Sequence, residues 1–420
     1  MGRHVTFIHA ADLHLGAPFR GLRNLSEAWA ERLCTAIVEA FDRLIEQAIE
    51  HRVDFVVIAG DVFDTSRSSY GDYLHFFDGL AALGRAGIPV YLCTGNHDPY
   101  TSWQKDFADL PPNATMFAAD RPSFAAFERE GRPLCLLGGR SYYHQTWPAD
   151  CNIAEGISRS QAELFTGVQA PFMVGVIHTG LDLDPVKAPV SPQYLMAADV
   201  DYWACGHIHS RYAYPSLDDP RIVFSGCIQG RDIKETGSRG CYLVELFEDA
   251  PNRIEEIPTA SVVWEQVSVE VGECATVADV EKRVVRALYR ANGAAQCDDM
   301  VVRVTLSGET ALHEALRRPD VLRDLRARLN DALPSFFCDA LVDATRTPRD
   351  RDKLVAEGLF PAAVLIASRS SEDPADLAYL QEEFLTRGLA FPSALEKALP
   401  ELSAEAESLV LDLLEGEAGL

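Results

Sequence analysis

The sequence predicts an α/β protein: a layered β-sandwich flanked by helices, followed by a smaller α/β domain. Three observations carry this. Short apolar runs alternate with helical periodicity from the start of the chain, in the order β, α, β, α, β. The runs "VTFIHA", "DFVVIAG" and "IPVYLCTG" are apolar almost throughout, as strands covered on both faces are. Each ends in a polar cluster, and open sheets bind ligands beyond the carboxyl ends of their strands.

Residues 5–9 read as the first strand. In the segment that follows, Leu25, Trp29, Leu33, Ile37, Phe41, Leu44 and Ala48 recur at helical spacing, with Asn24 or Ser26 as candidate cap. Residues 70–86 predict a second helix, ended by Gly87. Strands are predicted at 133–139, 172–180, 201–209, 221–226 and 240–246, and their close spacing suggests a second sheet facing the first. The stretch "EDAPNRIEEIP" reads as a boundary. Beyond it lie a strand at 262–271, a helix at 277–291, a strand at 299–308, one helix over 309–332 and a strand at 336–346. The expected division is 1–260, 261–347 and an acidic, largely helical 348–420. In that tail Leu409, Leu411, Leu413 and Leu414 supply an apolar side to bury.

A chain of 420 residues that is 47% apolar can build several cores. No run of eighteen residues is apolar throughout, so no membrane helix is expected, and no signal peptide is read at the N-terminus. The ten cysteines include no CxxC pair and read as buried free thiols, which places the chain in the cytoplasm. The net charge is −25. Residues 1–260 hold 21 Lys/Arg against 34 Asp/Glu, and residues 371–420 hold 2 against 12. Such a field repels polyanions and argues against a stand-alone nucleic-acid binder. It argues less against an enzyme whose cations invert the local field.

The strand exits collect Asp12 and His14, Asp61 in "GDVFD", Asn96, His97 and Asp98 in "GNHD", His178 in "IHTG", and His207 and His209 in "GHIH". Five of the eleven histidines fall there. Carboxylate, amide oxygen and imidazole together suit manganese, iron or zinc rather than magnesium or calcium. The set is large enough for two divalent cations, with Asp61 as the carboxylate between them. Gly60, Gly95 and Gly206 precede candidate ligands and let the backbone approach closely. His4, His9, His51, His75 and His313 read as surface or core residues, while His144 is a candidate for the substrate cleft. Arg317, Arg318, Arg323, Arg326 and Arg328 on a predicted helix, and Arg231, Lys234 and Arg239, are candidate phosphate contacts. Neither group is interleaved with aromatics, so no stacking platform is predicted.

These motifs resemble the calcineurin-like metallophosphoesterase superfamily over residues 5–240: DxH, GDxxD, GNHD, a lone His and GHxH. The chain is similar to the DNA-repair exonuclease branch, the SbcD-like nucleases, and most of all to YhaO-type members. "FIHAADLHLGAPF" and "SGCIQGRDIKETGSRGCYLVEL" carry that likeness. The resemblance implies a metallophosphoesterase-type fold with a capping domain. It implies two ions, most often Mn²⁺, with Asp12, His14 and His209 on one, Asn96, His178 and His207 on the other, and Asp61 bridging. It implies that His97 faces the scissile phosphate and that Asp98 orients the His97 ring. It further implies DNA as substrate, a homodimer, and an SMC-like coiled-coil ATPase partner. The alternatives are a phosphodiesterase or phosphatase on small esters, favoured by the acidic charge, and a metal-binding scaffold without turnover.

Overall fold

The computed structural model describes residues 3–19, 27–64, 67–104, 106–107, 109–148, 151–295, 297–358, 360–370, 374–387, 391–392, 402 and 406–414. The elements run β1 (His4–Ala10), α1 (Glu27–Glu50), β2 (Phe55–Ala59), α2 (Tyr70–Arg85), β3 (Val90–Cys93), β4 (Ala114–Met116), β5 (Ser123–Arg129), β6 (Arg132–Arg140), α3 (Arg159–Thr166), β7 (Phe172–His178), α4 (Pro192–Ala197), β8 (Tyr202–Gly206), β9 (Tyr212–Pro215), β10 (Pro220–Phe224), β11 (Gly240–Phe247) and β12 (Arg253–Pro258). Then come β13 (Val262–Glu270), α5 (Val277–Ala295), β14 (Asp299–Glu309), α6 (His313–Leu316), α7 (Pro319–Ala332), β15 (Phe336–Arg346), α8 (Arg351–Glu357), α9 (Phe360–Ser370) and α10 (Pro374–Thr386). Residues 406–414 are also helical. The chain divides into two compact units: Met1–Gln266 with Arg290–Val302 and Leu333–Asp339, and Val267–Tyr289 with Arg303–Ala332 and Ala340–Leu420.

The first unit holds two six-stranded sheets, ordered β12-β11-β1-β2-β3-β4 and β5-β6-β7-β8-β10-β9. Strands β1 to β4 are mutually parallel, and β11 and β12 add antiparallel. Strands β6, β7, β8 and β10 are parallel, with β5 and β9 antiparallel at the edges. Side chains alternate across a strand, so each sheet has two apolar faces to cover. Val56 and Ile58 of β2 pack in a core with Phe41 and Leu44 of α1 and Phe76 and Leu80 of α2. Phe55, Val57 and Ala59 turn the other way, into the core between the sheets with Val174, Val176 and Tyr202. Met173, Ile177 and Trp203 cover the outer face of the second sheet with Ala162 of α3 and Leu195 of α4. The layers are thus helix, sheet, sheet, helix, as the alternating pattern predicts.

Helix α2 starts at a capping box. The Asp72 amide donates to Ser69 Oγ at 3.2 Å, and the Ser69 amide donates to the Asp72 carboxylate at 2.6 Å. The proposed caps of α1, Asn24 and Ser26, lie outside the described residues. One strand goes unread in the sequence, and one expectation is corrected. The boundary segment contains β12, paired with β11 at the sheet edge, where Glu255 and Glu256 are exposed. Its charge masks the strand in the sequence, and charge is what an edge strand carries. The single helix expected over 309–332 is two helices, broken before Pro319, whose ring cannot continue the preceding turn.

In the second unit α5 buries Val280, Val284 and Leu288, and α7 buries Leu325 and Leu329, one stripe each. A third sheet has the order β13-β14-β15. All ten cysteines are free, most of them buried. Among the described residues no helix is long and apolar enough to cross a membrane.

His9 is fully buried, with Nδ1 2.9 Å from Tyr202 Oη and no partner for Nε2. Burial pushes its pKa down to about 3. The unfolded chain, with an ordinary imidazole near 6.5, therefore binds the extra proton between those values. Stability present above ~6.5 is lost as pH falls toward the folded value. Between about pH 7 and pH 5 this amounts to roughly 2 kcal/mol. Urea unfolding at both pH values is expected to show that loss shrink in His9→Asn, and an equal loss in both proteins would refute the assignment.

Candidate metal centre

Five parallel strands that run out of the apolar layers deliver polar side chains within a few residues of their ends. Asp12 and His14 follow β1, Asp61 follows β2, and Asn96, His97 and Asp98 follow β3; His178 ends β7, and His207 and His209 follow β8. The turns are tight. Asp12 (φ 51°), His14 (φ 50°), Asp61 (φ 50°) and His207 (φ 102°) all lie in the left-handed region, a conformation that costs non-glycine residues energy and collects at functional sites. Main-chain bonds hold them there: the Asp12 amide donates to Gly60 O at 3.1 Å, and the His14 amide to Asp61 O at 3.0 Å. Gly60 has φ +87°, and a Cβ on it would lie 2.5 Å from His178 Nδ1. Only glycine lets the backbone turn so close to that ring.

The side chains converge. His14 Nε2 is 3.2 Å from His209 Nε2 and 3.8 Å from Asp61 Oδ2. His178 Nε2 is 3.4 Å from Asp61 Oδ2 and 3.2 Å from Asn96 Oδ1. His209 Nε2 is 3.9 Å from Asp12 Oδ1. The ring of His178 lies 5.4 Å from that of His207. Asp12, His14 and His209 offer ligand atoms within 4.8 Å of one another, and so do Asp12, Asp61 and His178. Atoms bound at about 2.0–2.2 Å to one cation stand about 3 Å apart, so this spacing fits a cation among them. Asp61 reaches both groups of histidines. The residues therefore fit a pair of divalent ions.

Three of the imidazoles are aimed by their second nitrogen, whereas the buried Nδ1 of His14 has no hydrogen-bond partner. His178 Nδ1 donates to Ala59 O at 2.9 Å, His209 Nδ1 lies 2.6 Å from Glu235 Oε1, and His207 Nε2 lies 3.0 Å from Asp184 Oδ2. Such partners fix the tautomer and leave the other nitrogen for a metal. Glu235 and Asp184 are invisible to a reading of strand exits, because both sit in polar loops. The one signal for Glu235 is its place in "GRDIKETGSRG". His209, Cys227 and Glu235 also cluster within 4.8 Å. Burial pushes the Cys227 thiol up to about 12, which disfavours a thiolate, so this trio supports His209 rather than forming another ion site. Removing the carboxylate in Glu235→Ala is expected to weaken Mn²⁺ binding about 10–100-fold, read by titration calorimetry. Unchanged affinity would assign Glu235 to the loop alone.

The electrostatics are those of a crowded, dry cluster. Burial opposes the charge on Asp61, but the charge and hydrogen bond of His178 and the charge of His14 outweigh it, holding the carboxyl well below its ordinary range. Burial likewise opposes a charged His178, but Asp61 raises it to about 9. Burial, and then the charge of Arg231, hold His14 well below an ordinary imidazole. Burial raises Asp12, against the pull of His209 and His178. A divalent ion among these groups stabilises the carboxylates and calls for neutral imidazoles.

The other expected site residues separate. The His97 amide donates to Asp61 Oδ1 at 2.8 Å, and its half-buried ring lies 5.0 Å from that of His14. Asp98 takes three main-chain amides, from Gly95 at 2.7 Å, Val62 at 3.0 Å and Asp61 at 3.1 Å. These bonds brace the two ligand turns together, a role beside the orientation of the His97 ring that the resemblance implies. His144 is exposed, with Nδ1 3.5 Å from Thr101 Oγ1 and its ring against Tyr143. Arg239 is buried and gives its guanidinium to the carbonyls of His209, Glu235 and Thr236, so it shapes the loop rather than meeting a phosphate. Arg231 keeps a buried Nε without a hydrogen-bond partner, and Lys234 is exposed. Arg318 pairs with Asp320 at 2.6 Å, and Arg317 lies 3.7 Å from Glu314 and 4.0 Å from Asp412, all within the second unit.

Comparison with known proteins agrees with this geometry. Residues 5–211 match the calcineurin-like phosphoesterase family, and residues 264–346 match the middle domain of metallophosphoesterase YhaO. The chain is 33% identical over 273 residues to the uncharacterized metallophosphoesterase YhaO of Bacillus subtilis (strain 168), an alignment covering 64% of each chain, just under two thirds of that relative's length. It is 24% identical to the DNA double-strand break repair protein Mre11 of Aeropyrum pernix, over 97% of this chain and 95% of that one. The Mre11 of Archaeoglobus fulgidus is 35% identical over 57% of this chain and 54% of its own. A crystal structure of a dimetal phosphatase from Danio rerio aligns with a TM-score of 0.36 and 15% identity over 61% of this chain and 98% of that one; the fold rests on the sheet order, not on that likeness. The chain therefore carries a calcineurin-like metallophosphoesterase domain joined to a YhaO-type middle domain, and it is homologous to YhaO and Mre11 proteins.

Proposed function

We propose that this chain is a two-metal phosphodiester hydrolase and that its substrate is DNA. The observation that supports it is the convergence of Asp12, His14, Asp61, Asn96, His178, His207 and His209 from five strand exits into one largely buried cluster of oxygen and nitrogen donors. In this reading Asp12, His14 and His209 hold one ion, Asn96, His178 and His207 hold the other, and Asp61 joins them. Two bound divalent cations, Mn²⁺ in our reading of the oxygen–nitrogen donor set, would supply an activated water and Lewis acidity toward the phosphoryl oxygens. His97 stands at the edge of the cluster and donates a proton or hydrogen bond to the leaving oxygen. Asp98 keeps the two loops that carry Asp61 and His97 in register. Arg231, with an unpartnered Nε near His14 and His209, meets a substrate oxygen.

DNA is favoured because several relatives are DNA double-strand break repair proteins. A homodimer and a coiled-coil ATPase partner accompany that reading. The net charge of −25 favours a second one, a small phosphate ester as substrate. One assay separates them. Linear duplex, single-stranded and closed-circular DNA are compared with bis-(p-nitrophenyl) phosphate, each in Mn²⁺, Mg²⁺ and EDTA. Metal-dependent loss of linear DNA supports the first. Turnover of the small ester alone supports the second. Turnover of none defeats both.

A further inference from the structure

Helix 406–414 is built inside out. Glu407 (8% exposed) and Leu411 (3%) face inward with Asp412, while Leu409 (52%) and Leu413 (58%) face solvent. The sequence predicts Leu409, Leu411, Leu413 and Leu414 on a buried apolar side; the structure buries Leu411, exposes Leu409 and Leu413, and buries acids beside Leu411. The reason lies in what they touch. Asp412 takes Arg349 Nη2 at 2.5 Å, His313 Nε2 at 3.2 Å and the Thr347 hydroxyl at 3.3 Å, with Arg317 Nη1 at 4.0 Å. Glu407 takes Arg351 at 2.6 Å. All these residues belong to the second unit. Charge, with the single buried Leu411, selects the seat.

The buried Arg349–Asp412 pair returns little net stability, because desolvating both partners offsets their attraction, and Arg317 and Arg351 stay partly exposed. A helix that hides carboxylates and exposes leucines is thus not optimised to stay in place. What it covers is a set of guanidiniums, and forked guanidiniums are the side chains best shaped for phosphate. The seat is not sealed: an open cavity of about 390 Å³ is bordered by His313, Arg317, Arg346, Ser408 and Asp412. Two further arginines of this unit are paired elsewhere, Arg318 with Asp320 and Arg328 with Glu281.

We propose that the acidic face of helix 406–414 occupies a phosphate-backbone site on the second unit, and that duplex nucleic acid competes with it for Arg317, Arg349 and Arg351. This deepens the proposed function and rests on nucleic acid being a ligand. The acidic tail then acts as an internal stand-in for the substrate backbone: DNA of sufficient charge density displaces it, and weak polyanions do not.

The test measures binding in EDTA, where no turnover occurs. A labelled duplex of ~30 bp is titrated by fluorescence anisotropy with the 420-residue chain and with Glu407→Gln/Asp412→Asn, at about 50–200 mM salt. The double variant is expected to bind about 10-fold tighter at low salt, with a log–log salt slope steeper by about two. Adding Arg349→Ala and Arg351→Ala to that variant is expected to abolish the gain. Hydrogen exchange on the wild-type chain provides a readout independent of any variant's folding: duplex is expected to deprotect the amides of 406–414. Unchanged exchange with duplex bound overturns the proposal, and so does unchanged affinity in a double variant that melts like wild type. A chain that degrades DNA yet fails both tests keeps the proposed function and loses this inference. A chain that binds duplex through the released arginines but hydrolyses only the small ester keeps this inference and loses DNA as substrate.

Discussion

Asp61→Asn is expected to reduce phosphodiester turnover by at least about 10³-fold and to lower manganese uptake below two ions per chain. The expectation follows from position. Asp61 Oδ2 is 3.8 Å from His14 Nε2 and 3.4 Å from His178 Nε2, so one carboxylate faces both histidine groups. It is fully buried, and its surroundings hold it ionised. An amide keeps the shape, and its oxygen can still accept the His97 amide, which Asp61 Oδ1 accepts at 2.8 Å. What it loses is the negative charge that holds two cations near one another. Metal content by mass spectrometry and turnover of a small phosphodiester are measured on the same preparation. Two ions retained at wild-type rate would mean that Asp61 is not the shared ligand.

His97→Ala is expected to separate chemistry from metal binding. Two ions remain, and turnover falls about 10²–10⁴-fold, the range for removal of a positioned proton donor. The separation follows from the contacts. The ring stands beside His14, with 5.0 Å between centroids, while the main-chain amide makes the bond to Asp61. Deleting the ring leaves that bond, and Asp98 continues to brace Gly95, Asp61 and Val62. A substrate whose leaving group needs no proton, such as p-nitrophenolate, is expected to lose less rate than an alkyl ester. Loss of an ion from His97→Ala would reassign the side chain to the metals.

Much of the site is legible in the sequence because its logic is local. An apolar run that stops at Asp12, Asp61 or Asn96 announces a strand exit, and the residue types announce the chemistry. The outer layer of support is not legible. Glu235 reaches His209 and Asp184 reaches His207 across loops with no periodicity, so only the fold brings them together. Asp98 is legible as a site residue but not as a brace, because its partners are main-chain amides from two different turns. The sheet order hides for the same reason: β11 lies beside β1 although more than two hundred residues separate them. Charge misleads twice, concealing strand β12 and making Leu409 and Leu413 look like the buried side of their helix.

The left-handed turns at Asp12, His14, Asp61 and His207 bear on how the protein handles loss of its ions. Their strain is met by the packed layers beneath them, three apolar cores whose residues include none of the ligands. A small zinc finger collapses when stripped because the metal is its core. Here the metal is a guest in a finished room. A chelated chain is therefore expected to keep its architecture, so that reloading needs the entry of cations rather than a second act of folding.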